Sequence, residues 1–141
     1  MREIYLDNAA TTKPCEEAIS AMVNAMQKTY ANPSALHLLG LQSEDAVLAA
    51  KQTIAKALGT SSNNIYFTSG GTEADNLAII GGCSASRGKH IISTNVEHPA
   101  VLSTLQYLEK KGYSVDRVQV SKNGCIDLDH FARLLRKDTA L

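Results

Sequence analysis

The sequence predicts an α/β fold, a mainly parallel sheet covered by helices on both faces, and two observations carry that reading. From about residue 60 onward, short apolar runs alternate with stretches whose apolar residues recur at helical spacing. Glycine, asparagine and proline punctuate the joins. Strand and helix alternating at this rhythm imply crossover connections, and these place neighbouring strands parallel.

The elements follow in order. "IYL" at 4–6 is a short apolar run, succeeded by the turn-prone "DNAATTKP". A helix is expected from near Thr12, with Pro14 in its first turn and Ile19, Met22, Val23 and Met26 on one face. It stops before "ANPSA", because Pro33 forces Asn32 out of helical geometry. The next helix carries Ala46, Val47, Ala50, Ile54, Ala57 and Leu58 as a buried stripe and ends at Gly59.

"IYFT" at 65–68 reads as a buried strand, and "TEADNLAII" at 72–80 as a helix ended by Gly81 and Gly82. "HIIST" at 90–94 is the next strand. "AVLSTLQYLEKK" at 100–111 is a helix with Val101, Leu102, Leu105 and Leu108 inward, stopped by Gly112, and "YSVDRVQV" at 113–120 is a further strand. Asn123 and Gly124 turn the chain, and Asp127 caps a helix whose inner face is Phe131, Leu134 and Leu135. "LLRKDTAL" closes that helix where the alternation asks for another strand, so a sheet of roughly three strands, part of a larger one, is expected.

The bulk numbers exclude several classes. Fourteen basic and fourteen acidic residues in 141 cancel, and neither sign forms a block, so nucleic acid and anionic membranes are not expected partners. The first residues lack the basic start and apolar stretch of a signal peptide, which makes a soluble cytoplasmic protein the expectation. Cys15, Cys83 and Cys125 never stand as C-x-x-C, so reduced, mostly structural thiols are expected. His37, His90, His98 and His130 show no ligand spacing, and no metal site is expected.

The chemistry concentrates in "FTSGGTEADN", residues 67–76. Ser69, Gly70 and Gly71 form the expected loop at the carboxyl end of a parallel strand, where open α/β sheets bind ligands. A helix opening near Thr72 offers unpaired N–H groups and about half a positive charge, which favours an anion and phosphate above all. The glycines let a ligand reach the amides, and Ser69 and Thr72 add hydroxyls. The same residues also read as an ordinary tight turn with a Thr-x-x-Asp capping pattern. Neither G-x-G-x-x-G nor a glycine-rich loop ending in Gly-Lys-Ser/Thr occurs, which argues against an ordinary NAD or ATP site.

After the next strand, "NVEHPAVL" brings His98 to the same edge of the sheet. An imidazole held there by Pro99 can stack on a planar ring and move a proton near neutral pH. A histidine in this place also serves simply to hydrogen-bond the helix start.

"YLDNAATT", "NPSALHLLG", "FTSGGTEADNLAI" and "EHPAVL", in this order and separation, resemble the N-terminal third of NifS-like cysteine desulfurases, pyridoxal-phosphate enzymes of the class V aminotransferase superfamily. Essentially the whole chain is covered, and four motifs in register are highly specific. The resemblance implies part of a type I pyridoxal-phosphate transferase fold. Residues 1–13 would be a segment associated with the small domain and 14–141 the N-terminal part of a large cofactor-binding domain, truncated. Gly71 and Thr72 match the family's phosphate-binding pair, and His98 matches the histidine that stacks on the pyridine ring and handles protons. Asn32, Pro33, Ser34 and His37 match a loop near the family's active site. Asp7 and Thr11 match the opening segment near the substrate entrance and read equally as turn and capping residues.

In such enzymes a lysine carries the cofactor as a Schiff base and L-cysteine displaces it. A loop cysteine then takes the substrate's sulfur as a persulfide and alanine leaves. The resemblance therefore implies pyridoxal 5'-phosphate as cofactor, L-cysteine as substrate, a sulfur-acceptor scaffold protein in iron-sulfur cluster assembly as partner, and a homodimer. The lysine, the carboxylate facing the pyridine nitrogen and the loop cysteine belong to family segments beyond residue 141, so the 141-residue chain by itself is expected to be inactive. Lys51 stands where many relatives have arginine. A non-catalytic binding or assembly module that keeps the start of the family's fold, or a selenocysteine lyase-like enzyme, are the alternatives.

Overall fold

A computed structural model describes residues 4–141. Residues 1–3 of the expected 1–13 segment lie outside the described residues. The chain divides into two compact units, one ending at Tyr66 and one covering Phe67–Leu141.

In the first unit, helix α1 spans Glu16–Lys28. It begins later than expected from Thr12, since Pro14 disfavours helical geometry at the residue before it and Cys15 is the extended N-cap, and the first turn instead gathers Glu16 and Glu17 against the positive end of the helix. Asn32 accepts a hydrogen bond from the Ser34 amide at 2.9 Å, a side-chain turn that carries the chain into helix α2, Leu38–Leu58. His37 caps α2, its Nδ1 accepting from the Gly40 amide at 3.1 Å. At the other end Gly59 takes the left-handed conformation, φ 65°, that closes the helix. Ser43, buried in α2, donates its hydroxyl toward the carbonyls of Thr29 and Leu39 and so ties the end of α1 to α2.

The apolar stripe of α2 expected to be buried is not, and the apolar face of α1 is exposed as well. Alpha-1 buries no residue, and α2 buries only Gly40, Ser43 and Ala55, with Leu58 at 69% exposure. The two helices and a short 3-10 turn at Ser62–Asn64 provide no sheet to cover those faces within the unit.

Residues 65–68 are extended but form no strand, which corrects the expected first strand. A strand exists by virtue of its ladder, and among the described residues no neighbour supplies one to this segment. Tyr66 and Phe67 are accordingly exposed.

The second unit holds the sheet. Helix α3, Gly71–Ala85, runs straight through Gly81 and Gly82 rather than ending there. A mid-helix glycine costs only about 1 kcal/mol, and the extra turn buries Cys83 completely, its carbonyl accepting the Tyr113 hydroxyl at 3.2 Å. Strand β1, His90–Thr94, pairs in parallel with β2, Ser114–Val118, from His90 opposite Ser114 to Thr94 opposite Val118. Helix α4, Pro99–Lys110, makes the crossover between them, as the strand-helix rhythm requires. Cys83, Ile91, Leu105 and Leu108 form the core, with Ile79, Val101, Tyr113 and Val115 packed around it. One strand and two helices thus meet on the same apolar centre.

After β2, Gly124 (φ 79°) turns the chain, and the Asp127 side chain accepts from the His130 amide at 2.8 Å as the N-cap of helix α5, Leu128–Leu134. The last residues then run beside β1. Thr139 bridges His90 in parallel, the Ala140 amide donates to the His90 carbonyl at 2.7 Å, and the Ile92 amide donates to the Leu141 carbonyl at 2.9 Å. A third parallel segment thus starts on the free edge of β1, where the alternation asks for a strand. His90, fully buried, fastens it: Nδ1 meets the Thr139 hydroxyl at 2.8 Å and Nε2 meets Asp116 Oδ2 at 3.1 Å, which joins all three segments.

Among the described residues no helix is long and apolar enough to cross a membrane. Of the three cysteines only Cys83 is buried; Cys15 and Cys125 are exposed and free, so the expectation of structural thiols holds for one of them.

Candidate active site

Two helix starts in the second unit face one hollow. Thr72, in the first turn of α3, and His98, which caps α4, both line a cavity of about 510 Å³, together with Asn76, Ser103, Thr104 and Tyr107. Gly71 opens α3 directly before Thr72. Of the three residues expected to bind a cofactor, Thr72 and His98 therefore line one hollow, and Gly71 adjoins Thr72 in the chain.

The local sequence explains the shape of each side. Gly70 precedes α3 in an extended conformation (φ 165°, ψ 179°) that any residue can adopt, so backbone geometry does not demand glycine there. Packing does not demand it either, since a Cβ added at Gly70 or Gly71 would meet nothing within 4 Å. What the paired glycines provide is bare backbone. The first amides of α3 have no helical acceptor and stand behind open space, which suits an anionic group brought close to them.

Ser69 departs from expectation. Its amide and hydroxyl both donate to one oxygen of Glu73, at 2.6 and 2.7 Å, so the hydroxyl anticipated for a ligand is engaged internally. These bonds, the backbone one first, hold the Glu73 carboxyl below its ordinary value of 4.5. The capping partner at this turn is thus Glu73 reaching back, not the Thr-x-x-Asp pattern.

On the other side, the loop after β1 is shaped by Thr94, whose hydroxyl donates to Glu97 at 2.8 Å while its oxygen accepts the Val96 amide at 3.2 Å. His98 follows, and Pro99 fixes the first helical position of α4. The His98 Nδ1 accepts from the Ala100 amide at 3.1 Å. In the neutral ring the proton therefore resides on Nε2, the nitrogen left free for other partners. His98 is exposed, and its ring hydrogen-bonds the helix start through Nδ1 while lining the hollow.

Asn76 and Thr104 belong to this hollow and were not singled out from sequence. Asn76 donates to the Thr72 carbonyl at 2.8 Å and accepts the Thr104 hydroxyl at 2.9 Å. The available signal was a polar residue inside the inward stripe Val101, Leu105 and Leu108 of α4.

The first unit has a hollow of similar size, about 490 Å³, beside Tyr5, Thr11, Thr12 and Lys13. Its Tyr5 and Thr11 hydroxyls bond each other at 2.6 Å, and the Asp7 carbonyl accepts the Ala10 and Thr11 amides in a turn. Neither a helix start nor an imidazole lines it. Among the described residues no group of three or more His, Cys, Asp or Glu side chains is arranged to hold a metal ion.

Residues 4–141 match the family described as Aminotransferase class-V. The chain is 44% identical to a cysteine desulfurase IscS of Dictyoglomus turgidum, aligned over 99% of this chain and 36% of that protein. It is 43% identical to the cysteine desulfurase NifS of Azotobacter vinelandii, over 100% of this chain and 36% of the relative. Among solved structures, a NifS-like protein superposes with a TM-score of 0.88 at 34% identity, covering 94% of this chain and 37% of the other. A cysteine desulfurase from Thermococcus onnurineus NA1 gives 0.84 at 27% identity, covering 96% and 34%. The chain thus spans little more than a third of the length of these relatives.

Proposed function

The chain belongs to the class V aminotransferase family, and from that premise we propose that its second unit forms the phosphate-holding and ring-covering part of the pyridoxal-phosphate site of a cysteine desulfurase. One observation carries the reading: Thr72 and His98 open onto the same hollow. The residues fit the group, since the backbone at Gly70 and Gly71 is bare toward open space and lies at a helix start.

Bound there, pyridoxal 5'-phosphate would supply an electron sink for the loss of a proton from an amino-acid substrate. The Gly71 and Thr72 amides and the Thr72 hydroxyl would hold its phosphate. His98 would cover its ring and offer a hydrogen-bond donor at Nε2, because its Nδ1 is committed to the Ala100 amide. Ser69 and Glu73 would brace the turn through their two hydrogen bonds to each other. In the whole protein the reaction is conversion of L-cysteine to L-alanine, with the sulfur passed through an enzyme persulfide to a scaffold protein for iron-sulfur cluster assembly. A cytoplasmic homodimer is the proposed form, with residues 1–13 associated with a small domain and 14–141 starting the large one.

Binding of pyridoxal phosphate, compared with pyridoxal, tests the reading. Charge-assisted hydrogen bonds to the phosphate make pyridoxal phosphate bind about tenfold tighter or more. Thr72→Val removes most of that advantage and leaves pyridoxal binding alone. Equal affinity for the two ligands would overturn the proposal.

A further inference from the structure

We propose that Asn76 and Thr104 act as positioning residues, a side-chain bridge that sets the separation between the α3 turn and the His98 ring. The inference rests on the cofactor reading above and adds a role for two residues that line the hollow between Thr72 and His98.

The bridge is continuous. The His98 Nδ1 accepts the Ala100 amide at 3.1 Å, and the Ala100 carbonyl lies 2.8 Å from the Thr104 hydroxyl. That hydroxyl also lies 2.9 Å from Asn76 Oδ1, and the Asn76 amide nitrogen donates to the Thr72 carbonyl at 2.8 Å. Every link is within ordinary hydrogen-bond distance. Thr104 is 3% exposed, so its hydroxyl has little water to turn to, and the single proton it carries is shared between two protein acceptors. Asn76 uses both ends of its amide, one toward each helix, a task no apolar side chain of the same size performs. Apolar packing at Leu105 and Leu108 keeps the core of this unit together but leaves the sliding of one helix start past the other less restricted. Directional bonds remove that freedom. A ligand gripped at two points gains from a fixed spacing, whereas either half of it binding alone does not.

The test uses Thr104→Val, nearly the same shape without the hydroxyl, and Thr104→Ser, which keeps it. Affinities for pyridoxal phosphate, inorganic phosphate and pyridoxal are measured for each variant. We expect Thr104→Val to weaken pyridoxal phosphate about tenfold while phosphate and pyridoxal each change less than about twofold, and Thr104→Ser to restore the lost affinity. In ligand-free protein the Thr72 amide and His98 ring resonances should move together in Thr104→Val and return in Thr104→Ser. If all three ligands weaken alike, or the two resonances stay put, the bridge is only packing and the proposal is overturned. Should Thr104→Val fail to fold, Asn76→Ala, at a half-buried position, carries the same comparison. If the parent chain binds pyridoxal phosphate no more tightly than phosphate, the cofactor reading fails, and the ligand-free resonances alone decide the bridge.

Discussion

At the scale of single residues, His98 has one observed duty and one proposed. Its Nδ1 caps α4, and the proposed duty is to cover the cofactor ring, so replacements separate the two. His98→Asn keeps an N-cap acceptor, and its stability should stay within about 0.5 kcal/mol of the parent, while pyridoxal phosphate affinity falls a few-fold with the loss of ring stacking. His98→Ala loses both, with a further cost of about 1 kcal/mol in urea unfolding. Equal stability of the two variants would show that the cap contributes nothing. Glu73 offers a second residue-scale test. Its carboxyl is held below 4.5 chiefly by the Ser69 amide and then by the Ser69 hydroxyl. A depressed carboxyl stabilises the fold above its unfolded value and loses that contribution as pH falls through the lower, folded value. The stability gap between the parent and Glu73→Gln should therefore be constant near neutrality and shrink as pH drops below 4.5.

At the scale of elements, the second unit is built on a small core and one buried polar tie. Leu105 is 1% exposed, and Leu105→Ala should cost about 3 kcal/mol in urea unfolding monitored by circular dichroism. Thr139→Val removes the partner of Nδ1 of the fully buried His90, with an expected cost of about 1–3 kcal/mol. That substitution tests whether residues 138–141 are fastened to β1 by side chains as well as backbone. Burial also pushes the Cys83 thiol above its ordinary range. A thiol reagent should label Cys15 and Cys125 promptly and reach Cys83 only on unfolding. Prompt labelling of all three would contradict the packing of α3.

Elements with strong periodicity and clear punctuation were legible in the sequence, namely α4 with its Val101, Leu105 and Leu108 face, the Asp127 cap and the Gly59 stop. The segment 65–68 was not, because an extended apolar run becomes a strand only if a neighbour pairs with it, a non-local fact. Gly81 and Gly82 misled for a related reason: local propensity favours a stop, and burial of Cys83 outweighs it. Of the site, the glycine turn and His98 could be read from motif and context. The Asn76–Thr104 contact could not, since it joins residues 28 apart through a helix packing that no local pattern encodes.

At the scale of the whole molecule, two helix starts separated in sequence line one hollow because α4 crosses over between β1 and β2 and α3 packs beside it. Alpha-3 brings its bare amides and α4 brings its imidazole, and the hollow between them is defined by the topology rather than by any one residue. Membership of the class V aminotransferase family gives that hollow its proposed ligand, while the reaction belongs to a protein nearly three times as long in the relatives that match. The measurement that reaches the central claim most directly is a titration of pyridoxal phosphate followed at the Thr72 amide and the His98 ring by nuclear magnetic resonance. Both signals should shift along one saturation curve, with inorganic phosphate moving Thr72 alone and pyridoxal moving His98 alone. Separate curves for the two residues, or a response from only one of them, would contradict a shared site.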